Sequence, residues 1–108
     1  MKTQTDLTQI FPTDHSKIAT NMVFNFHSDA GHGWLAVKLC LVRELGLIGQ
    51  ISQYSYIQGS SAYLEEDCDA IRFVAAFKAK FGCEPRIKDL ESKDRSPIRS
   101  MKRFAMES

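Results

Sequence analysis

The stretch ISQYSYIQGSSAYLEEDCDAIRFVAAFKAKFG, residues 51–82, predicts a complete ββα unit. Residues 51–57 are rich in isoleucine and tyrosine, the turn QGSS follows, and residues 62–65 return as the partner strand of a hairpin. The run 68–81 then repeats apolar residues at helical spacing, with aspartates at its start, lysines near its end and Gly82 just after it. A hairpin that leads directly into an amphipathic helix indicates an α+β fold.

The part of the chain before this unit has the same order of elements. Residues 22–27 alternate in polarity, as a half-buried strand does, and a glycine-rich loop follows. Residues 34–37 are apolar and form either a second strand or the opening of a helix that continues to Leu45. With a final edge strand over 86–91, the sequence predicts the order ββα-ββα-β. We expect an antiparallel sheet of about four or five strands with two helices packed on one face.

Length and composition fit one globular domain. The chain has 108 residues, of which 44% are hydrophobic and 25% charged, so wholesale disorder is excluded. We expect an N-terminal arm over residues 1–20, a single α+β domain over 21–91 and a basic strap or tail over 92–108. The formal net charge of +1 argues against a strongly basic DNA-binding protein.

The cysteines and the N-terminal residues indicate the compartment. Three cysteines, widely spaced and without a CxxC pair, favour a reducing setting over that of a disulfide-linked secreted protein. The N-terminal residues lack the apolar core of a secretory signal, and the chain has no apolar run of about 18 residues that would span a membrane. We therefore expect a cytoplasmic protein without a membrane partner.

The loop HSDAGHG, residues 27–33, is the first candidate site. His27, Asp29 and His32 could converge on a divalent transition metal if another ligand came from elsewhere in the chain. The alternative, which we favour, is a turn in which Asp29 accepts hydrogen bonds from backbone amides and the glycines bend the chain. No metal and no cofactor are therefore predicted, and the three residues remain weak metal candidates.

Carboxylates are concentrated just before and at the start of the second predicted helix. We call this group, Glu65, Glu66, Asp67 and Asp69, the acidic run. They could bind a hard cation or a basic partner. The simpler interpretation, which we favour, is that they interact with the positive N-terminal end of the helix.

Tyr54, Tyr56 and Tyr63 are placed by the sequence on the facing strands of one hairpin. On the sheet face away from the helices they would form an exposed aromatic platform for base stacking or protein recognition. On the other face they would belong to the core, and both placements stay open.

The basic tail, residues 92–108, differs in charge from the rest of the chain. Five basic residues against two acidic ones give it a charge of +3. Either it ends in solvent, or it folds back as a strap that brings its basic residues onto Glu65, Glu66 and Asp69.

Four segments together resemble a family of small bacterial proteins that phages and plasmids often carry and that has no assigned activity. The segments are HSDAGHGWL, ISQYSY, YLEEDCD and DRSPIR, and the resemblance spans residues 22–104. It implies that the polar loop, the acidic run and the tail belong to one recurring design. The resemblance therefore concerns a set of shared motifs and implies no function.

Three classes of function are consistent with these features. We favour a small non-enzymatic protein that acts by protein binding, such as a phage or mobile-element accessory protein that modulates host defence in the manner of an anti-CRISPR-like inhibitor. The alternatives are a nucleic-acid-binding protein that uses the tyrosines and the basic tail, and a metal-dependent enzyme built from the His/Asp loop and the acidic run. The candidate interaction surface comprises His27, Asp29, His32, Trp34, Tyr54, Tyr56, Tyr63, Glu65, Glu66, Asp69, Arg95 and Arg99.

One geometric observation separates these classes. If His27, His32, Glu65 and Arg99 point into one cleft, the molecule has a built site, and if they are dispersed, it has an extended interaction surface. Whether the chain forms a homodimer stays open.

Overall fold

The computed structural model describes residues 22–93 and 96–105. These residues form two ββα units, a further strand and a short strand near the C-terminus. The elements are β1 (Val23–Ser28), β2 (Gly33–Lys38), α1 (Leu39–Glu44), β3 (Tyr56–Gln58), β4 (Ser61–Glu65), α2 (Asp69–Phe81), β5 (Arg86–Glu91) and β6 (Lys102–Arg103). Short 3-10 helices lie at Ile48–Gln50 and Pro97–Ser100. The predicted N-terminal arm and Arg95 lie outside the described residues.

The sheet is mixed, whereas the sequence led us to expect an antiparallel one of about four or five strands. The strand order is β5-β1-β2-β4-β3-β6, and β5 runs parallel to β1 while the other neighbouring pairs are antiparallel. The expectation was wrong because α2 carries the chain from β4 to the far edge, and a helical crossover returns the strand in a parallel direction. The sixth strand, β6, has two residues, too few for a sequence pattern to reveal.

Several local signals combine to form α2. Phe73, Phe77 and Phe81 follow one another at intervals of four residues and are all buried. Gly82 ends the helix with a φ of 76°, the left-handed conformation that glycine adopts at low cost. The predicted helix is thus confirmed to within one residue. Neither α2 nor any other helix of the described residues combines the length and apolar character that crossing a bilayer requires.

The main hydrophobic core lies between the helices and one face of the sheet. Phe24 of β1 meets Phe73 and Phe77 edge to face, with ring centroids 5.2 and 5.6 Å apart. The helix α1 contributes Leu41 and Val42 to the same cluster. Both helices therefore share one core with the sheet.

The opposite face of the sheet carries a second, smaller cluster. Trp34 of β2, Tyr56 of β3 and Ile98 of the C-terminal segment, by which we mean residues 96–105, are buried together. Phe104, farther along the same segment, belongs to the main core. The C-terminal segment thus covers part of the face that the helices leave open.

Candidate functional site

Asp29 joins the loop after β1 to the C-terminal segment. Its Oδ1 accepts hydrogen bonds from the backbone N–H groups of Gly31 and His32, both at 3.0 Å. Arg99 donates from Nε to Oδ2 at 2.7 Å and from Nη2 to Oδ1 at 2.9 Å. The backbone N–H of Ser96 also donates to Oδ2, at 3.0 Å. The Asp29 side chain is only 2% exposed, so these donors replace nearly all of its water.

The donors around Asp29 change its acidity. The Arg99 guanidinium, and after it the backbone N–H of Ser96, hold the pKa of the Asp29 carboxyl well below its usual range. The hydrogen bond to Asp29 in turn raises the pKa of Arg99. Asp29 is therefore ionised at neutral pH, and its two oxygens are committed to protein donors.

The turn predicted around Asp29 is confirmed, because its carboxylate accepts from the backbone amides of the loop. The strap expected to bring the tail onto Glu65, Glu66 and Asp69 reaches one of these residues, since Arg99 and Arg103 share a cleft with Glu65. Arg99 forms its ion pair with Asp29, which presents both oxygens of one carboxylate to the guanidinium.

Two arginines of the C-terminal segment lie over aromatic rings of the sheet. The guanidinium carbon of Arg99 is 5.6 Å from the ring centroid of Trp34, and that of Arg103 is 5.2 Å from the ring centroid of Tyr56. Trp34 and Tyr56 meet each other edge to face, with centroids 6.1 Å apart. Arg103 is held in place by a hydrogen bond from its Nη1 to the carbonyl oxygen of Gln53, at 3.1 Å.

These side chains open onto a cleft of about 540 Å³, which we call the aromatic–arginine cleft. The end of β4 and the turn before α2 supply the carboxylates of Glu65 and Asp67. Tyr54 also lines the cleft and is 65% exposed. The lining residues are His32, Trp34, Tyr54, Tyr56, Glu65, Asp67, Cys68, Arg99 and Arg103.

Asp69, the first residue of α2, is completely buried behind the cleft. Its carboxylate accepts from the backbone N–H of Ser52 at 3.0 and 3.1 Å, from the Ser52 Oγ at 2.6 Å and from the Ser55 Oγ. The Ser52 Oγ in turn accepts from the N–H of Tyr54, and the Ser55 Oγ accepts from the N–H of Glu65. Asp69 therefore positions two residues that line the cleft.

The acidic run does not act as one group. Glu65 and Asp67 line the cleft, whereas Glu66 lies on the helix-covered side of the sheet beside Ala70. Asp69 was expected to interact with the N-terminal end of the helix. Its main contacts are instead with Ser52 and Ser55 of the preceding loop, which donate hydrogen bonds to its carboxylate.

The tyrosines do not form a common platform. Tyr54 lies in a turn and not on a strand, because the chain at Ser52 and Ser55 bends onto Asp69. Tyr56 is buried and Tyr63 is half-buried. Of the three, only Tyr54 offers a largely exposed ring.

Three of the four side chains that the sequence singled out for convergence meet in one cleft. His32, Glu65 and Arg99 line it together. His27 lies elsewhere on the sheet, with its ring centroid 6.0 Å from that of Tyr63. Three of the four side chains therefore form one built site, and His27 lies outside it on the same sheet face.

Metal ligands are not assembled in the described part of the chain. Within residues 22–93 and 96–105, no three His, Cys, Asp or Glu side chains are grouped so that they could hold a metal ion. Asp29, the carboxylate among the weak metal candidates, uses both oxygens to bind N–H donors.

Sequence reasoning missed the two serines that bind Asp69. The available signal was a pair of serines, Ser52 and Ser55, inside a run otherwise rich in isoleucine and tyrosine. A buried hydroxyl needs a partner, so such a pair indicates a buried acceptor nearby.

Comparison of the chain with protein-family models, with curated proteins and with solved structures finds no match in any of the three. The function must therefore be argued from the geometry.

Proposed function

We propose that the chain is a small non-enzymatic protein-binding module whose interaction surface is the aromatic–arginine cleft. The observation that carries the proposal is the composition of the cleft. Tryptophan, tyrosine and arginine are the residue types that most often dominate the binding energy of protein interfaces. Five of the nine residues that line the cleft are of these types: Trp34, Tyr54, Tyr56, Arg99 and Arg103.

The arrangement of charge supports a protein partner over a polyanion. Arg103 lines the cleft together with Glu65 and Asp67, and the Arg99 charge is already balanced by Asp29. A nucleic acid backbone would meet the two carboxylates, whereas a protein surface can offer groups of both signs. We therefore propose a partner that places an acidic group at Arg103 and a basic group at Glu65 and Asp67.

The rigidity of the cleft also supports a binding role. Asp29 fixes Arg99, and Asp69 fixes the loop that carries Tyr54. Side chains held in place before binding lose little conformational entropy when a partner arrives. Because both clamping carboxylates are committed to hydrogen bonds, we assign them a positioning role and not proton transfer.

We propose a cytoplasmic location for this module, which agrees with three cysteines that are widely spaced along the chain and form no CxxC pair. On its resemblance to phage- and plasmid-borne proteins, the partner we propose is a bacterial host protein of the kind that mobile elements must modulate.

The test is capture of a partner from a bacterial lysate, followed by direct binding of the purified partner to matched variants. Tyr54→Ala and Arg103→Gln should each weaken binding by about tenfold or more, because the lost side chains lie at the cleft. Ile71→Ala, which removes another exposed hydrophobic side chain on α2, should leave the affinity unchanged. Equal loss in all three variants, or loss in Ile71→Ala alone, would overturn the proposal.

A further inference from the structure

The sheet face opposite the helices has a second half that the aromatic–arginine cleft does not use. Strand register places Lys88, Asn25, Ala36 and Tyr63 side by side in one row across β5, β1, β2 and β4. Directly paired residues share a face, and residues two apart along a strand share it too. Arg86, Val23, His27 and Lys38 therefore point the same way, and we call these eight residues the open face.

The open face is accessible and shaped to hold a ligand. Val23 is 52% exposed, and Asn25, Lys38 and Lys88 are exposed as well. A depression of about 590 Å³ is lined by open-face residues together with residues from the adjoining end of the sheet and from α1, among them Glu44. The Glu44 carboxylate is paired with Lys80 at 3.4 Å.

Charge on the edge strand β5 is sorted by face. Arg86 and Lys88 pair with Val23 and Asn25 and so lie on the open face, while Asp89 pairs with Phe26 on the helix-covered face. Glu91, at the end of the strand, lines a small cavity together with His27 and Tyr63, so one carboxylate borders the open face there. Lys38 adds a third cation, and the eight residues of the open face include no carboxylate.

Rings and an amide complete this surface. His27 and Tyr63 lie beside each other, with ring centroids 6.0 Å apart and planes inclined at 59°. Aromatic rings on a sheet with basic residues alongside are what single-stranded nucleic acids bind, because bases stack on rings while phosphates meet cations. The Asn25 amide can both donate to and accept from a base edge.

We propose that the open face binds single-stranded nucleic acid, with phosphates at Lys88 and Lys38 and a base against Tyr63 and His27. This site is distinct from the protein-binding cleft and does not depend on it. It also differs from the arrangement expected from the sequence, in which the basic tail held the phosphates, because Arg99 and Arg103 lie at the cleft with Glu65 and Asp67.

The test uses the full chain and a fluorescein-labelled oligothymidylate of about 15 nucleotides, titrated by fluorescence anisotropy at about 20 mM NaCl and again at higher salt. Lys38→Gln/Lys88→Gln should weaken binding by about tenfold and lower the slope of log K against log salt by about 1.4, since each lost phosphate contact removes about 0.7. Arg72→Gln/Lys78→Gln makes the same change of charge at exposed positions of α2 and should alter neither quantity. Tyr63→Leu should weaken binding with the salt slope unchanged, and a thermal melt checks that this half-buried position still folds.

Four results would overturn the proposal. One is no binding by the full chain at low salt, and a second is equal weakening in the α2 control. A third is competition by polyglutamate as strong as that by oligothymidylate, which would indicate an acidic protein as the occupant. Binding that appears only after removal of residues 1–20 would show that the full chain does not use this face for nucleic acid.

Discussion

Asp29 and Asp69 hold two sides of the aromatic–arginine cleft in different ways. Asp29 belongs to a loop and binds a guanidinium 70 residues away along the chain. Asp69 is completely buried and binds hydroxyl and amide donors 14 and 17 residues away. The ion pair joins the C-terminal segment to the sheet, whereas the buried carboxylate joins neighbouring parts of the domain.

The place of each carboxylate in the fold determines which part of the structure loses stability when that carboxylate is removed. Without Asp69, buried hydroxyl and amide donors lose their acceptor inside the domain, so the whole fold loses stability. Without Asp29, the C-terminal segment loses its attachment while the core between helices and sheet keeps its contacts. We therefore expect global destabilisation in one case and local opening in the other.

The largest expected effect is that of Asp69→Ala. Several hydrogen bonds to a buried carboxylate disappear and their donors stay buried, so unfolding in urea should show a loss of about 3 kcal/mol or more. Asp67→Ala, which removes an exposed carboxylate two residues earlier, should change the free energy of unfolding by less than about 0.5 kcal/mol. Similar losses in the two variants would mean that Asp69 is not a buried clamp.

The next effect is local and is read from Trp34, the single tryptophan of the chain. Trp34 is 3% exposed beneath Arg99, so Asp29→Asn should raise its quenching by acrylamide towards that of an exposed tryptophan. The urea midpoint should fall less than in Asp69→Ala. Asp89→Asn, the same change at an exposed strand position, is the control. Unchanged quenching in Asp29→Asn would refute local opening.

The pH dependence of the Asp29 clamp has a definite sign. Because its pKa is lowered on folding, Asp29 contributes its full stability above the ordinary value of 3.8, and the contribution decreases as the pH falls below that value. The stability difference between the wild-type chain and Asp29→Asn should therefore be constant near neutral pH and shrink in acid. Urea unfolding at a series of pH values measures it, and a difference that grows in acid would contradict the ion pair.

The smallest expected effect on the free energy of unfolding is that of Arg103→Gln. This substitution tests whether the C-terminal segment is attached to the sheet at a second point. The guanidinium contact with Tyr56 lies near the surface, so its loss should cost about 0.5 kcal/mol in urea unfolding. Lys102→Gln changes the neighbouring exposed charge and should have no measurable effect. A loss as large as that in Asp29→Asn would show that the segment is held equally at both points.

The fold was predictable where local signals determine it. The helix Asp69–Phe81 and the strand Arg86–Glu91 follow from spacing, capping glycine and edge chemistry within a few residues of each element. The direction of that strand was not predictable, because it depends on the path of the chain across the sheet. The strand at Tyr56 is shorter than predicted, since Asp69 bends the residues before it into a turn.

The sequence predicted several residues of the candidate site but not the contacts between them. His32, Glu65 and Arg99 were all named from the sequence, and they share the cleft. The partnership of Asp29 with Arg99 was not foreseen, because no pattern in a single sequence connects residues 70 positions apart. Asp69 was expected to be one of several equivalent carboxylates, and its burial depends on the loop that packs against it.

We propose the aromatic–arginine cleft as the protein-binding surface. Hydrogen exchange of the full chain, measured with and without the captured partner, shows which residues the partner covers. The partner should slow exchange at residues 52–55, 65–68 and 99–103, which contribute to the cleft, and leave exchange on the exposed side of α2 unchanged. Protection confined to α2 or to the open face, with exchange at the cleft unaltered, would contradict it.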